Sequence, residues 1–243
     1  MGVGKTMERQ DAEKMNLPRH IAFIMDGNGR WAQQRGLARE FGHKRGADAF
    51  RKLVKHCADI GIRYVTVYAF STENWKRPQN EVTAIMNLLE DYLDVCLRDM
   101  KKNKIEVHFL GDVSPLSEKL KEKIKKAEEE SRGYPYVLNL ALNYGARDEL
   151  VHAFRKLREK GITTVEEEDI SAALYTAHCP DPDLIVRTGG EKRLSNFLLW
   201  QAAYAEFYFT DVLWPDFDRA EFDRAIESFS RRERRLGGRL DKK

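Results

Sequence analysis

Two alternating periodicities constrain this chain more than any other feature. Short apolar runs rich in β-branched and aromatic residues recur along it, and longer segments with helical spacing of apolar positions fill the gaps. We read strands over His20–Met25, Arg63–Phe70, Ile105–Leu110, Tyr136–Leu142, Leu184–Arg187 and Phe207–Thr210. Helices are read over Gly42–Ile60, Glu81–Lys102, Pro115–Glu130 and Arg147–Lys160. Ser114 suits an N-cap with Pro115 at the first helical position, and Gly161 suits the residue that stops the last of these helices. Strands separated by helices argue for crossover connections that cover both faces of a sheet. The expectation is an α/β fold, a single domain with a central, mostly parallel six-stranded sheet flanked by helices. Residues 1–16 read as a flexible polar arm and residues 17–243 as the domain.

Composition narrows the class. The chain has 243 residues, 42% hydrophobic and 33% charged, enough apolar material for a core and enough charge for a soluble surface. No apolar run approaches the roughly 20 residues that span a bilayer, and the N-terminus lacks the apolar centre of a secretory signal. Cys57, Cys96 and Cys179 share no metal-ligand spacing and read as reduced thiols of a cytoplasmic protein. The net charge is only +3, but eight Lys/Arg against two acids fall between Arg30 and Lys55. Such a cluster is solvated surface in most proteins and an anion site in some.

In open α/β sheets, ligands gather beyond the carboxyl ends of the strands. Three polar loops fall there. Asp26-Gly27-Asn28-Gly29-Arg30 follows the first strand, with Arg39 and His43 downstream. Glycines let the backbone approach a ligand, arginines grip phosphate oxygens bidentately, and the helix start near Gly42 adds positive potential. One carboxylate among these cations can share a Mg²⁺ ion with substrate phosphates and water. Ser71–Arg77 follows the second strand and carries Asn74 and Trp75. The same residues could simply cap the loop. Arg187 and Arg193 flank a glycine pair after the fifth strand, with Ser195 beyond, which reads either as a second anion cradle or as a solvated glycine turn. Glu206 lies in an aromatic stretch, where an acid is costly unless paired or metal-bound. The chain has no Gly-x-x-x-x-Gly-Lys-Ser/Thr loop and no Gly-x-Gly-x-x-Gly after a strand, which argues against a P-loop nucleotide enzyme and against a dinucleotide cofactor. Two cradles and one aspartate instead suggest two diphosphate-bearing substrates and Mg²⁺.

Together these loops resemble the cis-prenyltransferase family. The matching stretches are His20–Trp31, Gly42–Gly46, Tyr68–Trp75, Asp183–Gly190, Leu194–Gln201 and Trp214–Phe217, in the family's order and spread over nearly the whole chain. The resemblance implies condensation of an allylic diphosphate, typically farnesyl diphosphate, with isopentenyl diphosphate to give a cis-polyprenyl diphosphate. It also implies a homodimer, and a peripheral membrane contact at product release would suit such a product. Carried over by position, Asp26 matches the magnesium-associated catalytic aspartate and Glu206 a second metal-associated carboxylate. Gly27, Asn28, Gly29, Arg30, Arg39 and His43, with Trp31 beside them, match the allylic-diphosphate cradle. Ser71, Thr72, Glu73, Asn74, Trp75 and Arg77 match the second active-site loop, with Asn74 at the position assigned to proton removal. Since an amide is a weak base, orienting a diphosphate oxygen or water suits Asn74 better. Arg187, Arg193, Leu194 and Ser195 match the isopentenyl diphosphate site. Lys192 stands where some bacterial members carry a histidine, and a protonated lysine cannot ligate Mg²⁺.

A growing chain needs an apolar tunnel, and the Glu81–Lys102 helix carries more apolar residues than one packing stripe requires. Ala69 and Leu138 are read as tunnel lining, although core packing explains each of them as well. A non-catalytic subunit on the same fold is the rival reading. Asp26 and both cradles argue against it, as does Arg235-Leu236-Gly237, which resembles the Arg-x-Gly of catalytic members. A nucleic-acid-binding domain is disfavoured by the small net charge and the lack of a recognition motif.

Overall fold

The structure, a computed structural model, describes residues 15–232, without the side chains of Asp94, Cys96 and Leu97. The arm up to residue 14 and the Arg235-Leu236-Gly237 motif lie outside the described residues. Six strands form one sheet in the order β3-β4-β2-β1-β5-β6. They are β1 (His20–Ile24), β2 (Tyr64–Ser71), β3 (Ile105–Leu110), β4 (Tyr136–Tyr144), β5 (Leu184–Arg187) and β6 (Glu206–Phe209). Every neighbouring pair is parallel. A strand in the middle of such a sheet is covered on both faces, so it reads as a continuous apolar run. In β1, all five residues of His-Ile-Ala-Phe-Ile are buried.

The helices are α1 (Asn28–Gln34), α2 (Arg39–Ile60), α3 (Gln79–Asn103), α4 (Glu118–Ser131), α5 (Ala146–Glu159), α6 (Glu167–Ala173) and α7 (Arg219–Ser230). The chain leaves β1 toward β2 through α1 and α2, and returns to the other side of β1 from β4 through α5 and α6. Right-handed crossovers in opposite directions place their helices on opposite faces. The larger core, with Phe23, Val65, Val67 and Leu140 from the sheet, accordingly lies under α2 and α7. A second core, with Ala22, Ile24, Ala141 and Ala146, lies across the sheet. Because strand order reverses around β1, a crevice opens at its carboxyl end.

Several boundaries differ from the sequence reading. The fourth helix starts at Glu118, and its N-cap is Ser117, whose Oγ accepts from Leu120 N at 3.2 Å. Ser114 lies before this cap, in a local turn where its N–H donates to Asp112 Oδ1 at 2.9 Å. The second helix begins at Arg39 rather than Gly42. Helix α1 occupies what reads in sequence as a glycine loop, and α6 and α7 were also not anticipated. At the amino end, Met15 and Leu17 pack against the main core and Asn16 N donates to Ser230 Oγ at 3.2 Å, so the docked chain begins within the expected arm. Cys57 and Cys179 are free thiols. No described helix is long and apolar enough to cross a membrane.

Candidate active site

The loop after β1 and the end of β5 meet at the crevice. Register places Ile24 beside Arg187, so Asp26 and Arg187 leave adjacent strands at the same edge. Arg187 Nη2 donates to Asp26 Oδ2 at 2.9 Å, and Arg30 Nη2 lies 3.2 Å from Asp26 Oδ1. The backbone is fixed beneath them by fully buried Thr188: Asp26 N donates to its Oγ1 at 3.0 Å, and that hydroxyl donates to Asp26 O at 2.7 Å. Gly189 holds φ +82°, and an added Cβ would fall 2.5 Å from Arg30 Nη2 and 3.1 Å from Asp26 O. The positive φ favours glycine at this point, where the two loops approach each other closely.

Arg187 is a buried cation, 4% exposed. A charge removed from water needs a counter-charge and hydrogen bonds. Asp26 supplies the first, while Ser195 Oγ at 2.8 Å and the Arg193 carbonyl accept the rest, leaving Nε without a protein partner. Ser195 and Asn196 are held at φ +51° and +63°, a left-handed corner that turns Ser195 back toward Arg187.

Asp26, Asn28, His43, Ser71, Glu73, Asn74, Arg77, Arg187, Arg193 and Ser195 line one cleft of about 680 Å³. Ser71 N donates to Asn74 Oδ1 at 3.1 Å, closing a capping box at the Thr72–Lys76 turn. That bond commits the amide oxygen of Asn74 and leaves its Nδ2 as the donor. Glu81 holds the allylic-side cations: it accepts from Arg77 at 2.9 Å and from Arg39 at 3.2 Å, and lies 3.9 Å from His43 Nε2. Burial, reinforced by Arg77, lowers the pKa of His43, and its Nε2 is buried without a hydrogen-bond partner.

Other residues expected at the site stand behind it. Trp31 Nε1 donates to Asp216 at 2.8 Å with Arg35 over its ring, so it ties α1 to the Trp214–Asp216 turn. Trp75 donates to Asn143 Oδ1 at 2.8 Å and packs edge-on against Phe70. Thr72 Oγ1 bonds Asp148 at 3.4 Å, and Leu194 packs against the second core. Glu206 is not brought to Asp26 within the chain. It opens β6 beside Leu184, three positions before the register of Arg187, and its carboxylate accepts from Arg232 at 2.9 Å.

Two residues that the sequence did not single out join the loops. Asn196 Nδ2 donates to Glu73 at 3.0 Å, and its Oδ1 accepts from Arg147 N at 3.0 Å at the start of α5. Burial would push Glu73 up, but hydrogen bonds from Asn196, its own backbone, Ser71 and Thr72 together hold its carboxyl below the usual range. Tyr68 stacks on Phe197 with centroids 4.5 Å apart, and its hydroxyl donates to Ser195 O at 3.3 Å.

An α/β sheet with two cationic pockets converging on one aspartate at its switch point defines an enzyme for diphosphate-bearing substrates. Residues 24–237 match the model of a family described as "Putative undecaprenyl diphosphate synthase". The chain is 54% identical over 224 residues to an isoprenyl transferase of Fusobacterium nucleatum, covering 92% of this chain and 97% of the relative. It is 46% identical over 235 residues to the (2E,6E)-farnesyl-diphosphate-specific ditrans,polycis-undecaprenyl-diphosphate synthase of Haemophilus influenzae, covering 94% and 98%. Among solved structures, the lavandulyl diphosphate synthase of Lavandula x intermedia in complex with dimethylallyl diphosphate superposes with TM-score 0.87 at 35% identity, covering 91% of this chain and 99% of that one. The chain belongs to the undecaprenyl diphosphate synthase family and is a cis-prenyltransferase.

Proposed function

We propose that the cleft joins isopentenyl diphosphate to an allylic diphosphate, with farnesyl diphosphate as the primer, and releases a cis-polyprenyl diphosphate. The observation that carries this reading is the Asp26–Arg187 contact at 2.9 Å, which puts both cradles against one carboxylate. On the allylic side, Arg30, Arg39, His43 and Arg77 receive the diphosphate, with Gly27, Asn28 and Gly29 letting it approach the backbone. On the other side, Arg187, Arg193 and Ser195 hold isopentenyl diphosphate. Binding both in one cleft converts a bimolecular encounter into an oriented one.

The allylic C1–O bond breaks, and the departing diphosphate takes the electron pair. The cations around it stabilise the charge that develops on its oxygens. The isopentenyl double bond supplies the electrons of the new carbon–carbon bond, and a proton then leaves the former isopentenyl carbon skeleton. Asn74 Nδ2 orients the diphosphate oxygen or water that accepts this proton, because Asn74 Oδ1 is already engaged.

Asp26 fits a metal that brings most of its ligands with it. Its side chain is 31% exposed at the mouth of the cleft, and the described residues contain no cluster of three ligating side chains. A hard cation such as Mg²⁺ shared with substrate phosphates and water matches that donor set and would help neutralise the leaving group. An apolar cavity lined by Ala69, Ile85, Leu88 and Leu140 adjoins the cleft and suits the hydrocarbon chain. Leu138 lies farther along, fully buried at a second cavity.

The fold also offers a face for a second copy. Val151 and Phe154 on α5 are 48% and 51% exposed, Leu199 and Tyr204 are 39% and 73% exposed, and strand β6 is an edge carrying Phe207 and Phe209. These exposed residues and the family support reading the chain as a homodimer, and we place it in the cytoplasm, touching the membrane only to hand over product.

The test supplies farnesyl diphosphate and radiolabelled isopentenyl diphosphate with Mg²⁺ or with a chelator, and sizes the products. Label should enter long prenyl chains only with Mg²⁺, and Asp26→Ala should lose at least about 100-fold in kcat while keeping the native circular dichroism spectrum. Near-normal turnover by that variant would overturn the assignment of Asp26.

A further inference from the structure

The corner between α1 and α2 projects from the molecule. Residues 33–41 are all exposed, and a side chain added at Gly36 would meet nothing within 4 Å. Two large apolar side chains stand on this corner, Leu37 at 41% exposed and Phe41 at 57%. Helix α2 meets α1 through Gly42 and Gly46, which leaves Phe41 outside that contact. Phe41, Arg45 and Lys52 recur at spacings of four and seven residues and so share one side of α2, opposite the buried Phe50 and Cys57. The cations here divide into two sets. Arg35 is held by Asp216 at 3.1 Å and Arg39 by Glu81 at 3.2 Å. Lys44, Arg45 and Lys52 are exposed, and none of them forms an ion pair with a carboxylate among the described residues. Glu40 is the one acid of the exposed run and Asp91 of α3 flanks it, which leaves the free cations in excess.

We infer that the α1–α2 corner is the surface by which the protein touches an anionic membrane, with Leu37 and Phe41 entering the interface and Lys44, Arg45 and Lys52 facing the lipid phosphates. This inference rests on the function proposed above and gives its membrane contact a location. Apolar tips on a protruding corner, ringed by free cations, match a bilayer boundary, where the tips enter and the charged heads stay among the headgroups. A stable protein interface would instead call for about 800 Å² of fitted surface on each partner, which a two-residue apolar tip does not offer. Arg39 and His43 of the allylic cradle leave the first turns of the same helix, so a bilayer here lies beside the mouth of the cleft. Apolar insertion and charge attraction are each weak alone, and together they support reversible attachment.

The experiment sediments the full chain with vesicles of phosphatidylcholine, alone or mixed with phosphatidylglycerol. Separately, it follows incorporation of labelled isopentenyl diphosphate in vesicle-free solution. Wild type should bind the mixed vesicles, more weakly as salt rises, and the phosphatidylcholine vesicles far less. Leu37→Ser combined with Phe41→Ser should lower the partition coefficient about tenfold by removing the apolar tips. Lys44→Gln, Arg45→Gln and Lys52→Gln together should lower it roughly 100-fold on mixed vesicles, at about fivefold per cation. Val165→Ser, the same kind of change at an exposed residue between α5 and α6, should bind as wild type does. All variants should keep the wild-type circular dichroism spectrum and the wild-type initial rate of label incorporation without vesicles. Wild type that stays in solution with mixed vesicles would overturn the inference. Binding equal to wild type by the serine pair or the glutamine triple would overturn it as well, since the contact would then lie on another face. Absence of label incorporation by the wild type would refute the proposed function instead, and the vesicle result is read without it.

Discussion

Asn196 shows how much a single side chain can do at this site, lining the cleft and tying its loops together at once. Its amide nitrogen reaches Glu73 in the loop after β2, its amide oxygen takes the Arg147 N–H at the start of α5, and its own backbone is part of the left-handed corner that presents Ser195. Loss of a hydrogen bond to a charged group costs about 1.5–3 kcal/mol, roughly 10- to 100-fold in an equilibrium or rate. Asn196→Gly keeps the backbone conformation and removes both bonds. We expect kcat/KM for isopentenyl diphosphate to fall by about that factor, mainly through KM, with the thermal midpoint little changed. Asn196→Asp keeps the acceptor for Arg147 but sets a carboxylate against Glu73, so it should be no better than Asn196→Gly. If Asn196→Asp matched wild type in KM, the contact to Glu73 would have no functional weight. Tyr68 supports the same corner from below through Ser195 O. Neither role was legible in the sequence, because the partners lie 123 and 127 residues away and only the folded sheet brings them together.

At the scale of elements, the pairing of α1 with α2 sets the shape of the allylic cradle. Gly42 and Gly46 sit on the face of α2 turned to α1, and a Cβ at Gly42 would fall 2.0 Å from the Asn28 carbonyl oxygen. In an exposed helix, exchanging glycine for alanine gains up to about 1 kcal/mol. Here the obstacle is backbone in the first turn of α1, and overpacking of this kind costs about 1–3 kcal/mol. Gly42→Ala should therefore destabilise the protein in urea titration, against its helix propensity, and should weaken allylic binding because Asn28 lines the cleft. A gain in stability would mean that the helices part easily. The same pairing separates what the sequence reveals from what it hides. Strands such as β1 and β3 are legible because each is a short apolar run bounded by polar loops. The three loops with the cradle arginines are legible because the α/β pattern says where such loops must lie. Helix α1 is hidden because Gly27, Gly29 and Gly36 punctuate it like a turn. Trp31 and Trp75 read as ligand contacts from position alone, yet their ring nitrogens are spent on Asp216 and Asn143. The sheet also carries a polar line on one face. His20 bonds Thr66 at 2.7 Å, and His178 bonds Asn139 at 2.8 Å and stacks on His108. Burial lowers the pKa of His20 and of His178 to about 4 each, against partial compensation from the Pro180 carbonyl and Asp183 at His20 and from Glu106 at His178. The unfolded chain takes up these protons near pH 6.5 and the folded one only near pH 4. Their contribution to stability is thus complete above about pH 6.5 and is lost as pH falls toward 4. Urea titrations at pH 7, 6 and 5 should show that decline. His20→Gln should flatten it by at most about 1.4 kcal/mol per pH unit, the effect of one proton. An unaltered slope would show that His20 binds its proton equally in both states.

For the whole molecule, the edge of the sheet is the open question that the chain raises about itself. Strand β3 at one end is flanked by α4, whereas β6 at the other is a four-residue edge carrying Phe207 and Phe209, with the Phe207 carbonyl accepting from Arg232 at 3.2 Å. Unprotected apolar edges recruit other strands or partners, and monomers cover or charge them. Nearby Leu199, Tyr204, Val151 and Phe154 are exposed as well, on the loop before β6 and on α5. Scattered exposed apolar residues need no explanation, but apolar residues exposed beside a strand edge are a reason to test for an interface. A specific homodimer buries about 1,200–2,000 Å² in total, a demand that an edge strand and one helix face can meet. The wild type should sediment at twice the chain mass of 28.2 kDa. Phe154→Glu places a charge in the middle of that face and should shift the equilibrium toward the monomer by a factor of ten or more, the equivalent of about 1.4 kcal/mol. Sedimentation equilibrium across a dilution series reads this directly, and the product-sizing assay on the same samples tells whether a single chain turns over. Phe154 lies across the sheet from the apolar cavity, so an effect of Phe154→Glu on turnover that vanishes at high protein concentration would tie activity to pairing. A variant that remains dimeric at every dilution would place the interface elsewhere on the molecule.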